Sequence, residues 1–176
     1  MQIKFPISEI RFWAGEYLKN SPPHNLVREA RIETMTALEV HERGCYTKPE
    51  LVELVYWKTP RAKARVERNA ESFINEVTRT ALSTPDERLR IEVLTLLQGV
   101  SWPIASLLLH FGHKQPYPIL DIQVLWSLGV DTAPHYTFEF WWEYTQTCRQ
   151  LAQEAGVSMR TLDRALAQYA KEKQKG

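Results

Sequence analysis

Residues 89–111 read LRIEVLTLLQGVSWPIASLLLHF, and this stretch decides the fold. Its two apolar runs repeat bulky residues at helical intervals: Leu89, Val93 and Leu97 in the first, Ile104, Leu108 and Phe111 in the second. That period belongs to helices that bury one face. Between them, Gly99-Val100-Ser101-Trp102-Pro103 leaves room only for a tight corner. Gly99 is suited to positive φ and Pro103 to the first position of the second helix. Such a corner either serves packing alone or offers the N–H groups of the second helix to an anion.

The same grammar extends in both directions. Glycine is scarce, alternating strand patterns are almost absent, and Ser, Thr, Asn and Pro recur where helices would start, so the fold class is expected to be all-α. Upstream, helices are expected over about 7–19, 25–42, 47–57, 61–68 and 70–82. Gly44 stops the second, and a Thr47/Glu50 capping box opens the third. Thr84-Pro85-Asp86-Glu87 repeats the capping-box pattern before Leu89. Downstream, Gly112 ends the second apolar run and HKQPYP forms a loop. Asp121 is placed to cap DIQVLWSLG, with Val124, Leu125 and Leu128 facing inward. An aromatic helix over about 138–155 stacks Trp141, Tyr144, Cys148 and Leu151. A last helix capped by Ser158 aligns Leu162, Ala165, Leu166 and Tyr169.

Composition bounds the rest. A chain of 176 residues with 44% hydrophobic residues and six Trp is long enough for one buried core. A single all-helical unit over residues 1–176 is expected, with two lobes around a cleft as its alternative form. No apolar run approaches a membrane span, and MQIKFPISEIRFW holds no apolar core of secretory length. With only Cys45 and Cys148, the simplest reading is a cytoplasmic protein with free thiols. Twenty-two basic against twenty-one acidic residues give a net charge of +1, so a nucleic-acid partner would have to be held by a local patch. The strongest patch is KTPRAKARVER, residues 58–68, in which Lys58, Arg61 and Lys63 follow Tyr56-Trp57.

Leu94 and Leu97, the Gly99-Val100-Ser101 turn, Ala105, and then Ile119-Leu120-Asp121-Ile122-Gln123-Val124 occur in one order. In that order they resemble the helix-hairpin-helix region of the DNA glycosylase superfamily that includes endonuclease III and the adenine and oxoguanine glycosylases. The resemblance places the helix-hairpin-helix at about residues 89–112. It implies a compact multi-helix fold that binds duplex DNA and excises a base. It further implies that Gly99, Val100, Ser101 and Trp102 meet the DNA backbone at the hairpin, and that Asp121 is the catalytic carboxylate. Two departures narrow it. The position of the Schiff-base lysine of bifunctional members is Pro103, which has no amine, so the implied enzyme is monofunctional. Two cysteines cannot supply the four ligands of the iron–sulfur cluster that some members carry, so no such cluster, no metal and no other cofactor is expected.

Each candidate has a plainer reading. Hydrolysis of an N-glycosidic bond builds positive charge on the sugar, which an ionised Asp121 at a helix N-terminus would stabilise while orienting water; an Asp there also simply caps its helix. Lys58, Arg61 and Lys63 either neutralise DNA phosphates or form a solvated face. Trp57, Trp102 and the Phe138, Trp141, Trp142 stripe either meet a base or pack in the core, and packing is the commoner use. Arg160 and Arg164 reach a phosphate or pair with Asp163 and Glu172. His110 and His113 lack the further ligands of a zinc site. A non-catalytic DNA-binding or scaffold protein of the same fold is the alternative function. A helical interaction module without nucleic acid is a third.

Overall fold

The structure is a computed structural model that describes residues 1–132 and 134–174. After a 3₁₀ turn the chain forms α1 (Ile10–Asn20) and α2 (Pro23–Met35), and a wide π turn (Thr36–Val40) leads into the short α3 (His41–Arg43). Then come α4 (Lys48–Lys58), α5 (Lys63–Val66), α6 (Glu71–Ser83), α7 (Glu87–Leu94) and α8 (Trp102–Gly112). The chain closes with α9 (Ile122–Ser127), α10 (Phe138–Ala155) and α11 (Met159–Lys173). The fold is all-α: no strand occurs among the described residues, and no helix there is long and apolar enough to cross a membrane. The chain divides into two compact units, His24–Gln115 and the pair of segments Met1–Pro23 and Pro116–Gly176.

In the unit of residues 24–115, α8 is the central element. Ile104, Ala105, Leu107, Leu108, Leu109 and Phe111 are all buried, as the sequence period requires. The buried faces of α4 (Leu51, Leu54, Val55), α6 (Ile74, Val77, Ala81) and α7 (Ile91, Leu94) complete the core. Tyr46, fully buried, donates its hydroxyl to the Leu108 carbonyl (2.8 Å). In the other unit α1 lies along α11, and α11 along α9. Ile10 and Trp13, Val124 and Leu125, Trp141 and Tyr144, and Leu162 and Leu166 are buried there.

Several expectations are corrected in detail. The helix expected over 25–42 is continuous but widens to π geometry at Thr36–Val40, where the buried Thr36 hydroxyl donates back to the Ile32 carbonyl (2.9 Å). Thr84 does not cap α7, because its own N–H closes the end of α6 on Thr80 O (3.0 Å). The cap is Asp86, whose carboxylate accepts from Leu89 N–H (2.7 Å). The buried face of α7 is also rotated from the expected one: Leu89 is 45% exposed, while Arg90 is buried beside Ile91 and Leu94. Arg90 is drawn inward because its guanidinium donates to Ala81 O (2.8 Å) and Thr84 O, satisfying carbonyls at the open end of α6. Finally, α8 begins at Trp102, so Pro103 is its second residue rather than its first.

Candidate nucleic-acid interface

The α7–α8 connection is built to bring backbone close to backbone. After Leu94 the chain leaves the helix through a succession of tight turns (Leu97 N–H to Leu94 O, 3.2 Å; Val100 N–H to Leu97 O, 3.0 Å). Gly99 then takes φ +82°. A Cβ there would stand 2.9 Å from Arg65 Cβ and 3.1 Å from the Val66 nitrogen, so glycine is required both for the left-handed conformation and for the contact with α5. Asn69, 4% exposed, locks the turn from below. Its amide donates to Gln98 O (3.0 Å) and to Val66 O (2.8 Å), and its side-chain oxygen accepts from Gln98 N–H (2.8 Å).

The turn and α5 together enclose a groove of about 320 Å³. Arg61 and Arg65 line one side and Gly99, Val100, Ser101 and Pro103 the other. Ser101 is the N-cap residue of α8, in extended conformation and exposed, yet its hydroxyl accepts no hydrogen bond from the helix. The first intrahelical bond is Ala105 N–H to Ser101 O (2.7 Å), so the N–H groups of Trp102 and Ile104 precede it. Pro103 between them contributes no donor. The positive end of a helix of 11 residues therefore opens beside two guanidinium groups, an arrangement that attracts an anion.

Of the residues singled out from sequence, Gly99, Val100, Ser101 and Arg61 meet in this groove. Lys63 faces elsewhere, pairing with Glu67 (3.6 Å) and lying over the Tyr56 ring (5.4 Å). Arg65 takes its place. Its four-residue spacing from Arg61 was the available signal, since such residues share a helix face. Lys58 is exposed at the end of α4. Trp102 is half-buried, and Trp57 is half-buried with its ring edge-to-face on Phe111 (5.8 Å). Asn69 carried no signal beyond its position before a helix.

Asp121 sits in the other unit, at the N-terminus of α9. It is half-buried and extended (φ −138°, ψ 139°), with one carboxylate oxygen accepting from Gln123 N–H (2.9 Å). Burial raises the pKa of the Tyr136 hydroxyl, and the charge of Asp121 adds to that rise. The segment leading to Asp121 has no regular structure, yet Tyr117, Pro118, Ile119 and Leu120 are all buried. The aromatic stripe of α10 is largely core: Trp141 is 0% exposed and stacks on Tyr117 (5.8 Å, 9°), while Phe138 and Trp142 are half-buried and stacked on each other. Burial pushes the Cys148 thiol far above its ordinary pKa, which leaves it protonated and unreactive.

Arg160 binds Asp163 (2.7 Å), and Arg164 lies over Tyr17 (5.9 Å). His113 accepts from Gln115 N–H (3.0 Å). Among the described residues, no group of three or more His, Cys, Asp and Glu is placed to hold a metal ion. No family model, no curated protein and no solved structure matches this chain.

Proposed function

We propose that this chain is a DNA-binding protein of the helix-hairpin-helix glycosylase type. In this reading the α7–α8 turn is the hairpin, and its groove takes one phosphodiester of duplex DNA. The observation that carries it is the convergence of Arg61, Arg65, the positive-φ Gly99 and the uncapped first turn of α8 on one open groove. Phosphate oxygens would accept from α8 N–H groups and the guanidinium groups. These contacts hold the duplex without reading its sequence. Because Pro103 lacks an N–H, the grip leans on the arginines more than on the backbone.

In the catalytic form of this reading Asp121 supplies the carboxylate. Ionised at the N-terminus of α9, it would stabilise the positive charge that develops on the sugar as the base departs and orient the attacking water. With proline at position 103 the reaction ends at the abasic site and has no amine-dependent strand cleavage. The second reading, DNA binding without catalysis, is favoured by the bond from Gln123 N–H, since that cap gives Asp121 a sufficient structural role.

A salt titration of duplex binding tests the grip. Arg61→Glu with Arg65→Glu is expected to weaken binding and flatten the log K against log salt slope by about 0.9, the share of the one phosphate the groove no longer neutralises. Unchanged affinity and slope would remove the groove from DNA binding. For the chemistry, a panel of lesion-bearing duplexes is incubated with the protein and then treated with alkali. Cleavage that disappears in Asp121→Asn supports the enzyme, whereas no cleavage on any duplex leaves only the non-catalytic reading.

A further inference from the structure

Within the unit that carries Asp121, one helix grips the approach to that residue at Pro116, Tyr117 and Ile119. Residues 116–120 are irregular and mostly buried, so their backbone carbonyls need partners that no sheet or helix provides. Side chains of α10 supply two of them. Arg149 Nε donates to Pro116 O (2.9 Å) and its guanidinium lies over the Tyr117 ring (4.6 Å), which also stacks on Trp141 at 5.8 Å. Closest to Asp121, the Tyr144 hydroxyl donates to Ile119 O at 2.6 Å, with Tyr144 at 0% and Ile119 at 1% exposure. Positions 141, 144 and 149 fall on one side of a helix, so α10 acts as a splint laid along the segment.

We propose that Tyr144 is a positioning residue for the Asp121 carboxylate, acting through its hydroxyl on the Ile119 carbonyl two residues upstream. This rests on the reading that Asp121 is the functional carboxylate of the chain. Water cannot replace the hydroxyl at so buried a carbonyl, and the alternative to the bond is movement of the segment. The hydroxyl also stays a donor: burial raises its pKa well above the ordinary value, and the charges of Asp163 and Asp121 add to that rise. A displacement of the 119–121 backbone would change where the Asp121 oxygens point, and catalytic geometry tolerates little of that.

Tyr46 offers a matched control, since its buried hydroxyl makes the same kind of bond to Leu108 O in the other unit. In the full chain, Tyr144→Phe and Tyr46→Phe are compared by amide hydrogen exchange and by the carboxyl ¹³C titration of Asp121. Tyr144→Phe is expected to speed exchange at the amides of Leu120 to Gln123 about tenfold and to shift the Asp121 titration, with Tyr46→Phe changing neither. On any lesion duplex that proves to be a substrate, Tyr144→Phe lowers kcat about tenfold or more at unchanged KM. Equal exchange and equal titration in the two variants would overturn the proposal. Failure of every duplex would overturn the catalytic reading alone, because exchange and titration still report on positioning.

Discussion

Two helix starts in the same unit share a pattern, a hydroxyl cap followed by proline two residues on, and end in opposite states. Thr47-Lys48-Pro49-Glu50 opens α4, and Ser101-Trp102-Pro103-Ile104 opens α8: each has a hydroxyl residue at the cap and proline at the second helical position. At α4 the capping box is closed from both sides, with Thr47 N–H on Glu50 Oε2 at 2.7 Å and Arg43 donating to the same carboxylate. At α8 the fourth residue is a buried isoleucine with nothing to reach back, and the Ser101 hydroxyl is not used. The fourth position is the difference that matters here: it decides whether the positive helix end is filled by the protein or left for a ligand.

The largest effect is expected where the α8 start is shaped. Gly99→Ala meets both a positive φ and hard contacts with Arg65 and Val66, and should cost about 3 kcal/mol, lowering Tm by roughly 6–12 °C in a thermal melt. Gly44→Ala is the comparison, because φ is +71° but nothing lies within 4 Å of the new Cβ. It should cost only about 1 kcal/mol. Equal losses would mean that the tight seat of the turn on α5 contributes nothing.

At α4 the filled end makes a pH prediction. Burial alone would raise the Glu50 pKa, but the Thr47 N–H and the Arg43 guanidinium outweigh it and hold the carboxyl below its ordinary value. The unfolded chain therefore takes up this proton at higher pH than the native one. Glu50 stabilises fully above about pH 4.3, and the benefit is lost as pH falls through the depressed native pKa. Glu50→Gln should cost about 1–2 kcal/mol at pH 7, and its stability should converge on that of the unaltered chain in melts carried toward pH 3. A difference that stays constant with pH would show that the charge of Glu50 is irrelevant to the cap.

These contrasts also mark how far the sequence can be read. Helix positions followed from spacing and from Gly44, Thr47, Ser158 and Asp121, because caps and periodicity are local chemistry. The rotated face of α7 was not legible, since Arg90 is buried by carbonyls of α6 that only the folded chain brings near. In the same way the four-residue spacing of Arg61 and Arg65 puts them on one face, but nothing local says which face of the basic run meets the turn. Only the seating of Gly99 on α5 separates the pair that faces the groove. Asp121 was legible as a cap, but the Tyr144 and Arg149 bonds that hold its approach join residues 25 and 33 positions apart. No period or motif encodes them.

The smallest effect separates stability from binding. Ser101→Asp gives α8 the kind of cap its own sequence withholds: the carboxylate can accept from the N–H groups of the first turn and place negative charge at the positive end of the helix. The chain should gain about 0.5–1 kcal/mol, read as a small rise in Tm. The same carboxylate would occupy the groove between Arg61, Arg65 and the α8 N–H groups, so duplex DNA affinity should fall with a shallower salt dependence. Stability and affinity would then move in opposite directions in one variant, which is the signature of a helix end kept open for a phosphate. If Ser101→Asp raises Tm and leaves DNA binding untouched, the uncapped start of α8 is an accident of Ile104 and the groove is not the grip.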